Sequence, residues 1–452
     1  MRVSSKLWAV LLIVGAVRAS AQAHTAPPAR LASATSLSAS DIREVVDTVA
    51  SQIEEIYVDA DTAKLIATRL RAKLQSGAYA SAPDGNRLAE LLTQDLRSVN
   101  GDLHLGVRFT PPSPGPAPKN IGPPAFLGRA QHYALGKIDV LPGNIGYLEL
   151  TGFAIDAAAE STVVAALEYL KTTDAIILDL RRNRGGSGEL SNFFISHFTG
   201  ADTTASLRIS SRDPHMNYTR YTMAHVPGPR RPDVPLYILT SRGTASAAED
   251  FTFVLQNLKR ATIVGDRTAG AGHNVAMVPS GHGFATSISI TRVADPKTGK
   301  EWERVGVQPD VRVDPAIALD TAQILALRTL EAKAPVDDRA HLAFLRDVRA
   351  AKMHPHSVAG ATLEEFAGEY DGDRRVRAAN GRLLYEPALG ALADTLVSLS
   401  DSTFAASTQA RLTFVRNAEG VVELHIRSPE GIDAVVRRRS ASPLRREASR
   451  LN

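Results

Sequence analysis

The 452-residue chain contains no cysteine. A disulfide framework, a thiolate zinc site and a cysteine nucleophile are therefore excluded. An excess of one charge is also missing. Lys and Arg number 52 against 48 Asp and Glu, a net +4, which is too balanced to indicate a nucleic-acid partner. Past the N-terminus no apolar run is long enough to cross a membrane, so no transmembrane segment is expected. Metal-ligand spacing of the His-Glu-x-x-His type is absent, and the lone His354-Pro-His356 pair is too weak a signal for a metal site. No metal and no organic cofactor is expected. What remains is ordinary globular composition, 44% hydrophobic and 22% charged, at a length that suits two to four domains.

The N-terminus has the order of an export signal. Basic Arg2 and Lys6 precede an apolar run from Leu7 to Val17, and small residues follow at Ala19-Ser20-Ala21. Residues 1–23 read as a cleaved signal peptide, and the protein is expected in a periplasm or outside the cell. Cleavage removes Arg2, Lys6 and Arg18 and takes the net charge from +4 to +1.

Residues 41–110 read as a helical N-terminal unit. Asp41 and Glu44 have capping-box spacing, and Ile42, Val45, Val46, Val49, Ile53 and Ile56 follow on one helical face. Further helices are expected over 61–75 and 85–99, then a strand over 104–109. Seven prolines between 111 and 124 mark 111–129 as an extended linker. Strands and helices alternate over 130–335, which argues an α/β core. Within it Ala175–Asp179 is nearly all apolar, as in a sheet covered on both faces. A linker near 334–360 leads to short strands with turn signals over 362–440, a small antiparallel β domain. The segment 441–452 reads as a basic tail, solvated or facing an anionic surface.

Two stretches carry chemistry. Thr240–Glu249 follows an apolar strand and opens a helix, so Ser246 sits on a tight connection beside the free N–H groups of a first helical turn. It is either a helix cap or a nucleophile whose attacked carbonyl those donors stabilise. Upstream, Asp179–Gly188 places Gly185 and Gly186 at a strand end. This is either a simple turn or a loop whose backbone approaches a ligand. It lacks the Lys-Ser/Thr ending of a phosphate loop.

Together, Ala175–Gly186 (AIILDLRRNRGG), Thr244–Glu249 (TASAAE), Ile263–Gly270 (IVGDRTAG) and Glu303–Asp310 (ERVGVQPD) resemble the tail-specific, or C-terminal-processing, serine peptidases. The resemblance extends over roughly 41–320 and includes the tricorn core and the interphotoreceptor retinoid-binding modules. It implies a Clp/crotonase-like spiral α/β core behind the helical unit. It also implies Ser246 as nucleophile, with the Ala247 amide and that of Gly185 or Gly186 as oxyanion donors. The lysine base of the processing branch falls on Ala271 here, so that dyad is absent. The tricorn-like branch instead implies His104 as base and Glu303, or Glu301, as its orienting carboxylate. A Ser246–His104–Glu303 constellation is chemically sensible, because imidazole takes the serine proton and a carboxylate orients the ring. The auxiliary serine beside the histidine is missing, since Leu103 and Leu105 flank His104. His273 is an alternative base. No PDZ domain lies between the helical unit and the core.

These residues lead to the expectation of an exported serine-type endopeptidase acting on peptides or unfolded protein segments. Two alternatives stay open: a non-catalytic binding module for an apolar ligand or peptide on the same fold, and a small ester or amide hydrolase.

Overall fold

The computed structural model describes residues 37–111, 128–407, 410–428, 431 and 433–439. The expected signal segment, most of the expected proline-rich linker and the expected basic tail lie outside these residues. The chain opens with three helices, α1 (Ala39–Ile56), α2 (Ala60–Gln75) and α3 (Gly85–Arg97), followed by β1 (Gly106–Phe109). Each helix starts on a side-chain cap. Asp59 accepts from the Thr62 N–H and Asp84 from the Arg87 N–H. For α1 the expected cap at Asp41 is displaced by three residues. Ser38 is the cap, and Asp41 is the acidic partner that reaches back to the Ser38 N–H at 2.9 Å. Either register satisfies a free donor, but Ser is the better cap and gains a reciprocal bond.

The core continues as β2 (Leu135–Leu141), β3 (Ile145–Leu150), α4 (Ala158–Tyr169), β4 (Ala175–Asp179), α5 (Gly188–Ser196), β5 (Ala205–Ser211) and β6 (Tyr218–Tyr221). Then come β7 (Leu236–Thr240), α6 (Ala247–Asn257), β8 (Thr262–Gly265), β9 (Asn274–Gly281), β10 (Phe284–Ala294), β11 (Val311–Arg312), α7 (Ala318–Lys333) and α8 (Val336–Met353). The central sheet runs β11-β8-β7-β4-β3-β2 and is parallel except for β2. Alternate residues of β4 serve opposite faces. Ile176 and Leu178 pack in one core with residues of α4, α5 and α6, while Ala175 and Ile177 pack in another with residues of α7 and α8. Both faces are covered, which is why the strand is apolar throughout. This is a mixed α/β architecture.

Two further sequence expectations change. The stretch near 334–360 is not only a linker, because α8 fills much of it. It buries only Phe344 and Leu345 within an otherwise polar sequence. The N-terminal unit is also not packed alone. Strand β1 pairs with β10 in antiparallel register, Gly106 opposite Ser287, and Phe284 and Ile288 enter the same core as α1–α3. A sheet in the order β1-β10-β5-β6, with β9 on β10, thus ties this unit to the core. The C-terminal region begins with a short helix (Gly360–Phe366) and contains two antiparallel sheets of four and five strands, which share a core around Phe366, Tyr370, Phe404 and Phe414.

Candidate active site

Adjacent parallel strands β4 and β7 end at the same edge of the sheet, with Leu178 opposite Ile238. The loops that leave them, 180–187 and 241–246, lie side by side there, where open α/β sheets present their ligands. They are bonded to each other. The Ala245 N–H donates to the Asn183 carbonyl at 3.0 Å, the Thr244 hydroxyl to the Leu180 carbonyl at 2.8 Å and the Ser241 hydroxyl to the Arg181 carbonyl at 2.6 Å.

Ser246 stands at the junction of that loop with α6, in a left-handed conformation of φ +55° and ψ −122°. A non-glycine residue there is uncommon and is held by its surroundings. The restraint is Glu249, fully buried one turn into the helix. Its carboxylate accepts from the N–H groups of Ser246 at 2.9 Å, Gly270 at 2.7 Å and Ala271 at 2.8 Å, and from the Thr268 hydroxyl at 2.5 Å. Burial raises the Glu249 carboxyl against the pull of these donors. The same side chain thus fixes both the serine and the 268–271 loop. The only local sequence signal for this role of Glu249 is its position three residues after the candidate serine.

The two glycines opposite have different tasks. Gly185 has φ +97°, and a Cβ there would stand 2.7 Å from Ser246 Cβ and 2.9 Å from the Ala247 nitrogen. Its N–H donates to Asn183 Oδ1 at 2.9 Å, so that amide is engaged. Gly186 has φ +135°, and a Cβ would fall 1.9 Å from the Phe153 carbonyl oxygen. Among the described residues no acceptor in the fold engages the Gly186 or Ala247 amides. Of the three expected oxyanion positions, Gly186 and Ala247 have free donors. Gly185 contributes the space that lets the loops meet.

A cavity of about 600 Å³ opens at this point. Ser246, Ala247, Gly186, Ala271 and His273 line it, as do the apolar Leu207, Ile209, Met223, Val293 and Trp302. Arg220 and Asp250 also reach it, but they neutralise one another through a bidentate pair at 2.6 and 2.7 Å.

Beside the cavity lies a cluster of two histidines and two carboxylates. His273 Nδ1 is 3.0 Å from Asp102 Oδ2 and 3.8 Å from Glu303 Oε2. Asp102 is fully buried and also accepts from the Tyr57 hydroxyl at 3.0 Å and the His104 N–H at 2.9 Å. Burial alone would raise its carboxyl. The His273 ring and the His104 N–H outweigh that and hold it well below the usual carboxylate range. Glu303 Oε2 accepts from the Gly272 N–H at 2.6 Å. Burial, with the charge of Asp102, raises Glu303 to about 6 against the pull of His273. His104 stands behind, and burial lowers its imidazole to about 4. His104 Nδ1 and Glu303 Oε1 are both buried without a partner.

Ser246 and His273 therefore share one cavity. His104 and Glu303 share the adjoining cluster, whose members also include Asp102. Glu301, the other carboxylate considered, is exposed. Asp102 lies two residues before His104 in the sequence, but its contact with His273, 171 residues away, has no local signal. Among the described residues no helix is long and apolar enough to cross a membrane.

The chain matches the profile of Peptidase family S41 over residues 144–313, and that of the N-terminal domain of Peptidase S41 in eukaryotic IRBP over 31–131. It is 28% identical over 202 residues to a carboxyl-terminal-processing protease of Synechocystis, covering 44% of this chain and 45% of that protein. It is 30% identical over 182 residues to the chloroplastic carboxyl-terminal-processing peptidase 2 of Arabidopsis thaliana, covering 38% and 33%. The chain thus spans less than half the length of these relatives. A solved lipoprotein structure from Streptococcus agalactiae aligns with a TM-score of 0.46 at 17% identity, covering 64% of this chain and 96% of that one.

Proposed function

The chain belongs to peptidase family S41, and from that premise we propose that it is a serine endopeptidase with Ser246 as nucleophile and His273 as general base. The observation that carries the reading is that Ser246, two free amides and His273 line one cavity, while Asp102 occupies the far nitrogen of the imidazole. With Nδ1 directed at Asp102, Nε2 is the nitrogen available to the serine. Ser246 Oγ attacks the substrate carbonyl carbon as His273 Nε2 takes the hydroxyl proton. The Gly186 and Ala247 N–H groups hold the oxyanion. The C–N bond then breaks, the leaving amine takes the proton from His273, and water releases the acyl group by the same steps. Leu207, Ile209, Val293 and Trp302 favour substrates that present an apolar side chain beside the scissile bond. The charge and apolarity pattern of residues 1–23 favours an exported protein.

A second reading keeps Ser246 and assigns His104 as base with Glu303 as its orienter. It is favoured by the two orphaned atoms, His104 Nδ1 and Glu303 Oε1, which face one cluster. The experiment is mass-spectrometric digestion of a diverse peptide library by the mature chain and by Ser246→Ala, His273→Ala and His104→Ala. Cleavage lost in Ser246→Ala and His273→Ala and retained in His104→Ala supports the first reading. The reverse pattern for the histidines supports the second. Absence of Ser246-dependent cleavage overturns both and leaves a ligand-binding module or, with ester substrates turned over, a small-ester hydrolase.

A further inference from the structure

The cluster behind the cavity has more ligand atoms than the proposed hydrolysis uses. Asp102, His104 and Glu303 each offer one atom, and these atoms lie within 4.8 Å of one another. Asp102 is fully buried and the Glu303 side chain is 7% exposed. Glu303 Oε1 and His104 Nδ1 have no hydrogen-bond partner despite their burial, and buried polar atoms are seldom left so. The Asp102 carboxylate is held from three sides, by Tyr57, His273 and the His104 N–H, and Glu303 by the Gly272 N–H. Such outer contacts fix ligands in place before an ion arrives.

We propose that Asp102, His104 and Glu303 form a site for Zn²⁺ or a similar first-row divalent ion, and that its occupation inhibits the enzyme. The ligands of a tetrahedral zinc ion bonded at about 2.0–2.2 Å stand roughly 3.3–3.6 Å from one another. The three atoms lie within 4.8 Å of one another, so closing on an ion asks each side chain to move by no more than about 1 Å. One imidazole nitrogen with two carboxylate oxygens suits zinc, whereas magnesium prefers oxygen alone. The inhibitory consequence rests on the reading of His273 as base. Asp102 is the residue that orients His273, and an ion bound to Asp102 draws that carboxylate away from the ring.

The test separates binding from catalysis. Full-length Ser246→Ala protein is titrated with ZnCl2 by calorimetry, with MgCl2 as comparison, and again as Glu303→Gln and His104→Gln. One zinc per chain is expected, at least tenfold weaker in both variants, with no magnesium heat. No zinc binding, or equal binding in the variants, overturns the site; equal binding would direct attention to His354 and His356. Circular dichroism checks that the variants fold. CoCl2 added to the unsubstituted chain gives an independent reading, because a visible d–d band of nitrogen–oxygen ligation is expected and its absence counts against the site. Zinc should also slow peptide cleavage at least tenfold, with recovery on adding EDTA; binding without slowing overturns the inhibitory role. If no peptide is cleaved under any condition, the catalytic reading has failed and the calorimetry still decides the metal site.

Discussion

His273 Nδ1 lies 3.0 Å from Asp102 Oδ2, across 171 residues of chain. The contact exists because β1, a few residues after Asp102, pairs with β10, while His273 immediately precedes β9, the other strand of that hairpin. The N-terminal unit therefore does more than precede the α/β core. It brings a buried carboxylate to the rim of the cavity that holds Ser246.

If Asp102 orients His273, Asp102→Asn should lower kcat by roughly 10³–10⁴-fold with little change in KM, because an amide favours the wrong imidazole tautomer. Steady-state kinetics on a peptide chosen from the library digestion checks this. A variant with unchanged kcat would instead direct attention to His104 and Glu303.

Gly185 gives a steric prediction. Alanine there must adopt φ +97° and place a methyl group 2.7 Å from Ser246 Cβ and 2.8 Å from the Ala245 carbonyl oxygen. Gly185→Ala should cost about 1–3 kcal/mol in stability from backbone strain. It should also remove most hydrolysis by forcing the two loops apart. Urea unfolding measures the first effect and peptide cleavage the second. Full activity would mean that the loops can separate without disturbing the serine.

Local chemistry explains what could be read in advance. The buried run Ala175–Asp179, the serine at a strand-to-helix junction and the paired glycines each follow from a few neighbouring residues. Ser38 was missed because its capping box overlaps a second acceptable one at Asp41. Helix α8 was missed because its charged residues dilute an apolar face that buries only Phe344 and Leu345. The pairing of β1 with β10 and the meeting of Asp102 with His273 depend on tertiary packing, which no periodicity encodes.

His197 should make stability depend on pH. It is fully buried, its Nδ1 bonds the Pro229 carbonyl at 2.8 Å, and its Nε2 has no partner. Burial, against that hydrogen bond and with the charge of Arg230, lowers its pKa from 6.5. The unfolded chain then binds more protons than the folded one as pH falls below about 6.5. Stability declines over that interval, down to the folded-state pKa. His197→Asn keeps a donor for Pro229 without titrating. The stability advantage of the unsubstituted chain over this variant should be constant above neutrality and shrink in mild acid. Chemical denaturation at a series of pH values checks this, and parallel curves would refute it.

The Arg220–Asp250 pair shows how the cavity tolerates charge in its wall. Both nitrogens of the guanidinium fork bond Asp250, at 2.7 and 2.6 Å, and the Arg220 and Asp250 side chains are only 16% and 9% exposed. Removing one partner leaves the other charge buried and uncompensated, which typically costs about 3–5 kcal/mol. Arg220→Ala should therefore be destabilised by about that amount. Replacing both residues by apolar ones of similar volume, Arg220→Met with Asp250→Leu, removes the desolvation cost together with the attraction. That double variant should recover most of the loss. Equilibrium urea unfolding of the single and double variants measures the coupling directly. A double variant as unstable as Arg220→Ala would mean that the pair's further contacts, the Ser206 hydroxyl at 3.2 Å and the Gly188 carbonyl at 3.4 Å, hold the cavity wall more than the charge pair does.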